Sequence, residues 1–396
     1  MTPLFDAVYR YRKVRARFHM PSHGGGRRPL AAGLFASAPF DLTELSFSDN
    51  LSSPTGVILE AEKLAAAAYG SERTLFFAGG ATDAVRTALL AAKGERIAFF
   101  GDMHKSFHSA ARLFSLSVTE VASLRELSEG DFDVICVTSP DYYGRTADIP
   151  AIAAICAERK AKLIVDEAHG AHFAFSSLLP ESAVIYADFV IHGAHKTLPV
   201  YTGGAMLHTK TAFYDAARAA RAEVIGTSPS YLVMASLDYA RDLFQRKGER
   251  YYRELKKKID KAKRAHPGVK VLPAEDFTRV VIERRGGGHA LAAALEKRGI
   301  YAEASDSDRV VLICTPFNGK YLKKAFSLAE SFDGKNKEYP DISDLIGKIS
   351  ARDVGVYPPG VPLVKKGEIF TKEKVAVLQA NLDRLFGTVD GKILTE

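Results

Sequence analysis

A chain of 396 residues, 47% of them hydrophobic, is long enough to bury two sizeable cores, and no apolar run reaches the length of a membrane-spanning helix. The net charge of +7 comes mainly from the stretches 10–28 and 250–264. In the second of these, Tyr251, Leu255, Ile259 and Ala262 recur at helical spacing and leave the lysines on a solvated face, so nucleic-acid binding is not expected. Cys136, Cys156 and Cys314 are too few and too far apart for a disulfide framework or a zinc ribbon. They are expected in the core of a cytoplasmic protein without a metal. The basic N-terminus is followed by no apolar segment that would read as a signal peptide.

In chain order, an arm over residues 1–50 contains a helix from Pro3 to about Lys13 and a loop, His19-Met-Pro-Ser-His-Gly-Gly-Gly26, whose glycines allow close backbone approach. A helical pattern runs from Val57 to Tyr69. From Leu75 the chain alternates short apolar runs with helical stretches, the pattern of a mainly parallel sheet in an α/β fold. The strands are expected at 75–77, 97–100, 134–137, 163–165, 189–191 and 205–207, with helices at about 83–92, 105–115, 149–160 and 210–222. Beyond residue 245 a long basic helix, three strands and the helix 289–298 indicate a smaller α+β domain. Domains are therefore expected at 51–245 and 246–396. The proline-rich tail segment Val356 to Phe370 is expected to run extended.

Ligands in such sheets bind beyond the carboxyl ends of the strands, and the chemistry-bearing residues fall there. Gly79-Gly-Ala-Thr-Asp83 opens a helix after the first strand, a place where free N–H groups can hold a phosphate. Asp166 ends the run Leu163-Ile-Val165, and Lys196 follows the run Phe189-Val-Ile191 by a few residues. A lysine forms a Schiff base with an aldehyde only when its amine is neutral, which a low-dielectric site favours. A carboxylate on the next strand keeps a pyridine nitrogen protonated. Together they form the pair that pyridoxal phosphate chemistry needs.

The stretches Thr43-Glu-Leu45, Pro54-Thr-Gly56, His104-Lys-Ser106, Tyr142-Tyr-Gly144, Asp166-Glu-Ala-His-Gly-Ala-His-Phe173, His195-Lys-Thr-Leu-Pro199, Thr227-Ser-Pro-Ser-Tyr231 and Val356-Tyr-Pro-Pro-Gly-Val-Pro-Leu363 keep one order along nearly the whole chain. In that order they resemble the bacterial ornithine/lysine/arginine decarboxylases of pyridoxal-phosphate fold type I, as a short form. The resemblance implies decarboxylation of a basic L-amino acid, with Lys196 holding the cofactor, Asp166 on the pyridine nitrogen and His104 stacked on the ring. It also implies Ala168 on the opposite face, His169 and His195 against the cofactor, and Ala81 and Thr82 on the phosphate. By the same resemblance Thr227 and Ser228 would complete the phosphate site of a partner subunit, which implies at least a homodimer. An aminotransferase, another lyase on the same fold, or a non-catalytic relative with weakened cofactor binding are the alternatives. Asp49 and Glu368 are the loop carboxylates considered for the substrate's basic side chain.

Several positions depart from the family pattern: Ser22 and Gly24, Ser52, Asp83, and Gly193, where the family has a serine. Loss of that hydroxyl predicts a looser grip on the phosphate. Restoring it should tighten binding, provided the backbone there does not require φ > 0.

Overall fold

The computed structural model describes residues 1–14, 17, 36–337, 339–357, 360–389 and 391–396. Most of the stretch 10–28, including the loop His19 to Gly26, and the prolines Pro358 and Pro359 lie outside the described residues. The chain forms two compact units. One comprises Met1–Gly101, Ser109–Asp141 and Thr146–Arg250; the other comprises Asp102–His108, Tyr142–Arg145 and Tyr251–Glu396.

The first unit is built on a seven-stranded sheet of β1 (Arg73–Phe77), β2 (Arg96–Phe100), β3 (Ser117–Val121), β4 (Val134–Thr138), β5 (Lys162–Asp166), β6 (Phe189–His192) and β7 (Ala205–Thr209), in the order β1-β7-β6-β5-β4-β2-β3. Its helices are α1 (Pro3–Tyr11), α2 (Val57–Tyr69), α3 (Ala81–Ala92), α5 (Leu124–Glu129), α6 (Ile149–Arg159) and α7 (Tyr214–Val224), while α4 (Lys105–Leu113) and α8 (Tyr231–Ala265) run along the chain from one unit into the other. The sheet is mainly parallel, as expected, with β7 antiparallel to both β6 and β1. The link from β6 to β7 explains the exception. Residues 193–204 contain only a 3-10 turn, Ala194–Lys196, and a connection without a crossover helix returns the strand antiparallel. Sequence reading missed β3 because it is an edge strand in which only Val121 is fully buried. It lacks the continuous apolar run of the central strands.

The core on one face of this sheet gathers Ile135, Val137, Leu163, Val165 and Val190 against Ile152 and Cys156 of α6. Each large aliphatic side chain so buried contributes about 1.5–3 kcal/mol before entropy is counted. On the other side α3 packs on β5, β6, β7 and α7. Helix α8 begins at Tyr231, well before the expected boundary near residue 245, because Met234, Leu237, Ala240 and Phe244 already form a buried stripe. Charged residues between them hid that stripe. One of these, Asp238, accepts the N–H groups of Leu4 and Phe5 at 3.1 and 3.3 Å and so anchors the start of α1. Further along α8 the buried face is Tyr252, Leu255, Ile259 and Ala262. The core position is therefore Tyr252 and not Tyr251.

The second unit carries a four-stranded antiparallel sheet, β10-β11-β9-β8, of β8 (Val271–Leu272), β9 (Arg279–Glu283), β10 (Ala304–Ser305) and β11 (Arg309–Ile313), with α9 (Gly288–Glu296) and α10 (Leu322–Ser331). A three-stranded sheet follows, β13-β12-β14, of β12 (Val354–Val356), β13 (Val361–Val364) and β14 (Leu385–Phe386), packed with α11 (Lys372–Gln379) around Leu345, Val354, Val364, Phe370, Val375 and Leu378. The proline-rich tail is thus not one extended run: β12 and β13 pair as an antiparallel hairpin. Cys136, Cys156 and Cys314 are free and buried. Burial raises all three thiol pKa values, those of Cys156 and Cys314 to about 12.

Candidate active site

Strand β5 delivers Asp166 to its carboxyl end, where the carboxylate is buried and accepts the Ala168 N–H at 3.1 Å. Burial pushes its pKa above the ordinary carboxylate value, while the Lys196 charge and the Ala168 N–H pull the other way. On the neighbouring strand, β6 ends at His192 and the 3-10 turn lifts Lys196 toward the same end of the sheet. Lys196 Nζ lies 3.0 Å from His169 Nε2. The Gly193 N–H bonds to the Ala168 carbonyl at 3.2 Å and ties the two loops together. Within the first unit, the fold therefore brings together Asp166, Ala168, His169, Gly193 and Lys196. His195 takes part through the turn itself, with its backbone N–H and its Nδ1 both bonded to the Gly204 carbonyl, at 3.2 and 3.0 Å.

A second feature faces the same end of the sheet. Helix α3 starts at Ala81 and Thr82 behind Gly80, which sits at φ 90 and caps the helix with no side-chain hydrogen bond. Gly80 N–H bonds to the Gly203 carbonyl at 2.7 Å, joining this turn to the one that follows Lys196. Gly203, at φ 97, approaches Ala78 so closely that a Cβ would stand 2.6 Å from the Ala78 carbonyl oxygen. Because the N-cap residue is a glycine, no N-cap side chain occupies the first N–H groups of the helix. Asp83 stands in the first turn with its pKa raised by burial, opposed by Arg86. Thr227 and Ser228 lie exposed on the loop between α7 and α8.

The remaining candidates have local partners. Asp49, at φ 67, accepts the N–H groups of Asn50, Thr55, Gly56 and Ile58 at 2.7–3.1 Å. Burial alone would raise its pKa, but these backbone bonds outweigh it and hold the carboxyl below its ordinary value. The carboxylate thereby anchors the start of α2, with both oxygens engaged by the chain's own backbone. Glu368, in the second unit, accepts from Lys374 Nζ at 2.7 Å and from the Lys365 N–H at 3.1 Å. His104 also belongs to the second unit, where its Nδ1 lies 2.9 Å from Ser106 Oγ. Sequence reasoning passed over Glu167, His192, His208 and Thr74, although polar residues within or beside apolar strand runs were a signal for them.

At Gly193 the backbone has φ −84, so no left-handed constraint applies. Space is the tighter limit, because a Cβ would meet the Ala168 carbonyl oxygen at 3.0 Å and Lys196 Cδ at 3.2 Å. Gly193→Ser is therefore expected to lose about 1 kcal/mol of stability through overpacking. A thermal unfolding scan reads this as a Tm lowered by a few degrees, and an unchanged Tm would show that the loop yields freely.

Two family models match the chain. The model for the Orn/Lys/Arg decarboxylase major domain matches residues 2–121 and 114–284, and that for the Orn/Lys/Arg decarboxylase C-terminal domain matches residues 320–382. Bacillus subtilis protein YaaO is 29% identical across 95% of this chain and 93% of its own length. An arginine decarboxylase of the same species is 26% identical across 96% and 94%. Among solved structures, lysine decarboxylase A from Pseudomonas aeruginosa superposes with a TM-score of 0.77 at 17% identity, covering 96% of this chain and 75% of that one. The fold is pyridoxal-phosphate fold type I. With both of its domain models matched over most of the sequence, the chain belongs to the Orn/Lys/Arg decarboxylase family of amino-acid decarboxylases.

Proposed function

We propose that this chain is a pyridoxal-phosphate-dependent decarboxylase of a basic L-amino acid, with arginine the first substrate to test. The observation that carries the proposal is the meeting of Lys196, His169 and the buried Asp166 at one end of adjacent strands. The donor set fits the cofactor: an amine for its aldehyde, a buried carboxylate for its pyridine nitrogen, and an uncapped helix start for its phosphate. Bound there, pyridoxal phosphate supplies the electron sink for the pair left on Cα when CO₂ departs. Asp166 would hold a proton at the ring nitrogen, and its burial would strengthen that charged hydrogen bond. Lys196 Nζ and His169 Nε2 can share one proton between them, a local reserve for the protonation that ends a decarboxylation. Ala168 gives the cofactor an apolar wall, with His195 set by the Gly204 carbonyl beside it.

Arginine comes first because the related decarboxylases of Bacillus subtilis and Halalkalibacterium halodurans carry that name. His104 is proposed to stack on the cofactor ring, and Ala81 with Thr82 to bind its phosphate. The exposed Thr227 and Ser228 are proposed to complete the phosphate site of a partner subunit, which makes the working unit a homodimer. Three free, buried cysteines support a reducing, cytoplasmic setting. The proposed division of labour is an arm over 1–50, a cofactor domain over 51–245 and a C-terminal domain over 246–396.

Incubating the purified protein with arginine, lysine and ornithine tests the reaction. CO₂ together with the matching amine supports it, while a keto acid would reassign the chain to amino transfer. Borohydride reduction and peptide mapping should place the cofactor on Lys196, and label on another lysine would remove the assignment.

A further inference from the structure

Beneath the site lies a buried chain of polar groups that the proposed chemistry does not use. Glu167 Oε2 is 2.6 Å from His192 Nε2, His192 Nδ1 is 2.9 Å from His208 Nε2, and His208 Nδ1 is 2.8 Å from Thr74 Oγ1. These residues come from the end of β5 and from β6, β7 and β1, four neighbours in the sheet. Each is at most 2% exposed. At the far end Glu167 also accepts the Ser182 hydroxyl at 2.5 Å and the Ala183 N–H at 2.8 Å. The Tyr69 ring covers both imidazoles, with centroids 5.1 and 4.6 Å away.

The charges facing this chain are few. His172 acts on both Glu167 and His192, and Arg241 of α8 acts on Tyr69 of α2. Asp166 is the adjacent residue, on the opposite face of β5. Burial raises the Glu167 pKa to about 8 and lowers that of His192 to about 3, with His208 also well below its ordinary value. At neutral pH the chain is therefore uncharged and carries one carboxyl proton.

Its position links it to the site. The His192–Glu167 bond is followed one residue along each segment by the Gly193–Ala168 backbone bond. Two consecutive ties thus join the segment that carries Asp166 to the segment that carries Lys196. We propose that Glu167, His192, His208 and Thr74 act as a positioning chain, holding the Asp166 and Lys196 segments in register and reversing its hydrogen-bond direction when Glu167 loses its proton. For its catalytic meaning this rests on the assignment of Asp166 and Lys196 given above.

The reversal balances. With Glu167 protonated, its O–H donates to His192 Nε2, His192 Nδ1–H donates to His208 Nε2, and His208 Nδ1–H donates to Thr74 Oγ1. When the carboxyl proton leaves to solvent, the Thr74 hydroxyl donates to His208 Nδ1, His208 Nε2–H donates to His192 Nδ1, and His192 Nε2–H donates to the carboxylate. Each imidazole keeps one proton throughout, and the net change is one proton released. Because the folded pKa of Glu167 is raised, its contribution to stability is complete below the ordinary carboxylate value and is lost as pH rises through about 8.

Infrared spectra of the purified holoprotein from about pH 6 to about pH 10 test this. A protonated-carboxyl C=O band is expected at neutral pH, disappearing with a midpoint of about 8, and Glu167→Gln should remove it. The visible absorbance of the bound cofactor should show a step at the same pH in wild type and none in Glu167→Gln. Thr74→Val deletes the donor that ends the ionised arrangement and should raise the midpoint by about one pH unit. Absence of a titrating band, its survival in Glu167→Gln, or an unmoved midpoint in Thr74→Val would each overturn the proposal. If the bands behave as expected while borohydride labels another lysine, the positioning chain stands and only the site assignment falls.

Discussion

Lys196→Ala is expected to abolish turnover and the covalent attachment of the cofactor. The ε-amine stands 3.0 Å from the His169 imidazole, and its charge acts on the buried Asp166. Without it, imine exchange must rely on amines from solution. A well-oriented intramolecular group commonly has an effective molarity on the order of 10⁵ M or more, so a loss of at least about 10⁴-fold in kcat/KM is expected. The fold should persist, since Lys196 is half-buried and its loss leaves the Ala194–Lys196 turn bonded through the backbone. Single-turnover assays on a variant with unchanged circular dichroism check this. Activity within tenfold of wild type would show that the cofactor amine is elsewhere.

Asp166→Asn carries the second largest effect. An amide preserves the shape and can still accept the Ala168 N–H at Oδ1, but it cannot hold a proton on a ring nitrogen. Breaking a buried charge pair on one side costs about 3–5 kcal/mol, which corresponds to roughly two to four orders of magnitude in rate. Because burial raises the Asp166 pKa, neutralising this residue relieves a desolvation cost in the cofactor-free protein. The variant should therefore be at least as stable as wild type when the cofactor is stripped, and much slower when it is restored. Thermal scans with and without cofactor, paired with initial rates, separate these effects. A variant both less stable and fully active would make Asp166 a structural residue.

What could be read from the chain without coordinates follows from how local the information is. Asp166 and Lys196 could be placed at one end of the sheet because Asp166 directly follows one short apolar run and Lys196 lies a few residues past the next, and the end of a strand is where an α/β sheet presents its chemistry. The antiparallel turn of β7 was not legible, since the short link 193–204 counts against a parallel return only once its lack of a helix is known. Glu167, His192, His208 and Thr74 stayed hidden for another reason. They meet only because β5, β6, β7 and β1 are neighbours, and strand order is not written in any one stretch of sequence. Asp49, considered from sequence for the substrate's basic side chain, has a left-handed backbone that turns its carboxylate onto N–H groups up to ten residues ahead. Glu368 likewise meets Lys374 across the start of α11.

The three buried cysteines give the molecule an internal clock for unfolding. A thiol reacts with an alkylating reagent only as exposed thiolate, and burial here withholds both exposure and ionisation. Cys136 and Cys156 sit in the first unit and Cys314 in the second. Alkylation followed by mass spectrometry therefore times the opening of each unit by the peptide that gains mass, in the unaltered sequence and without an added dye.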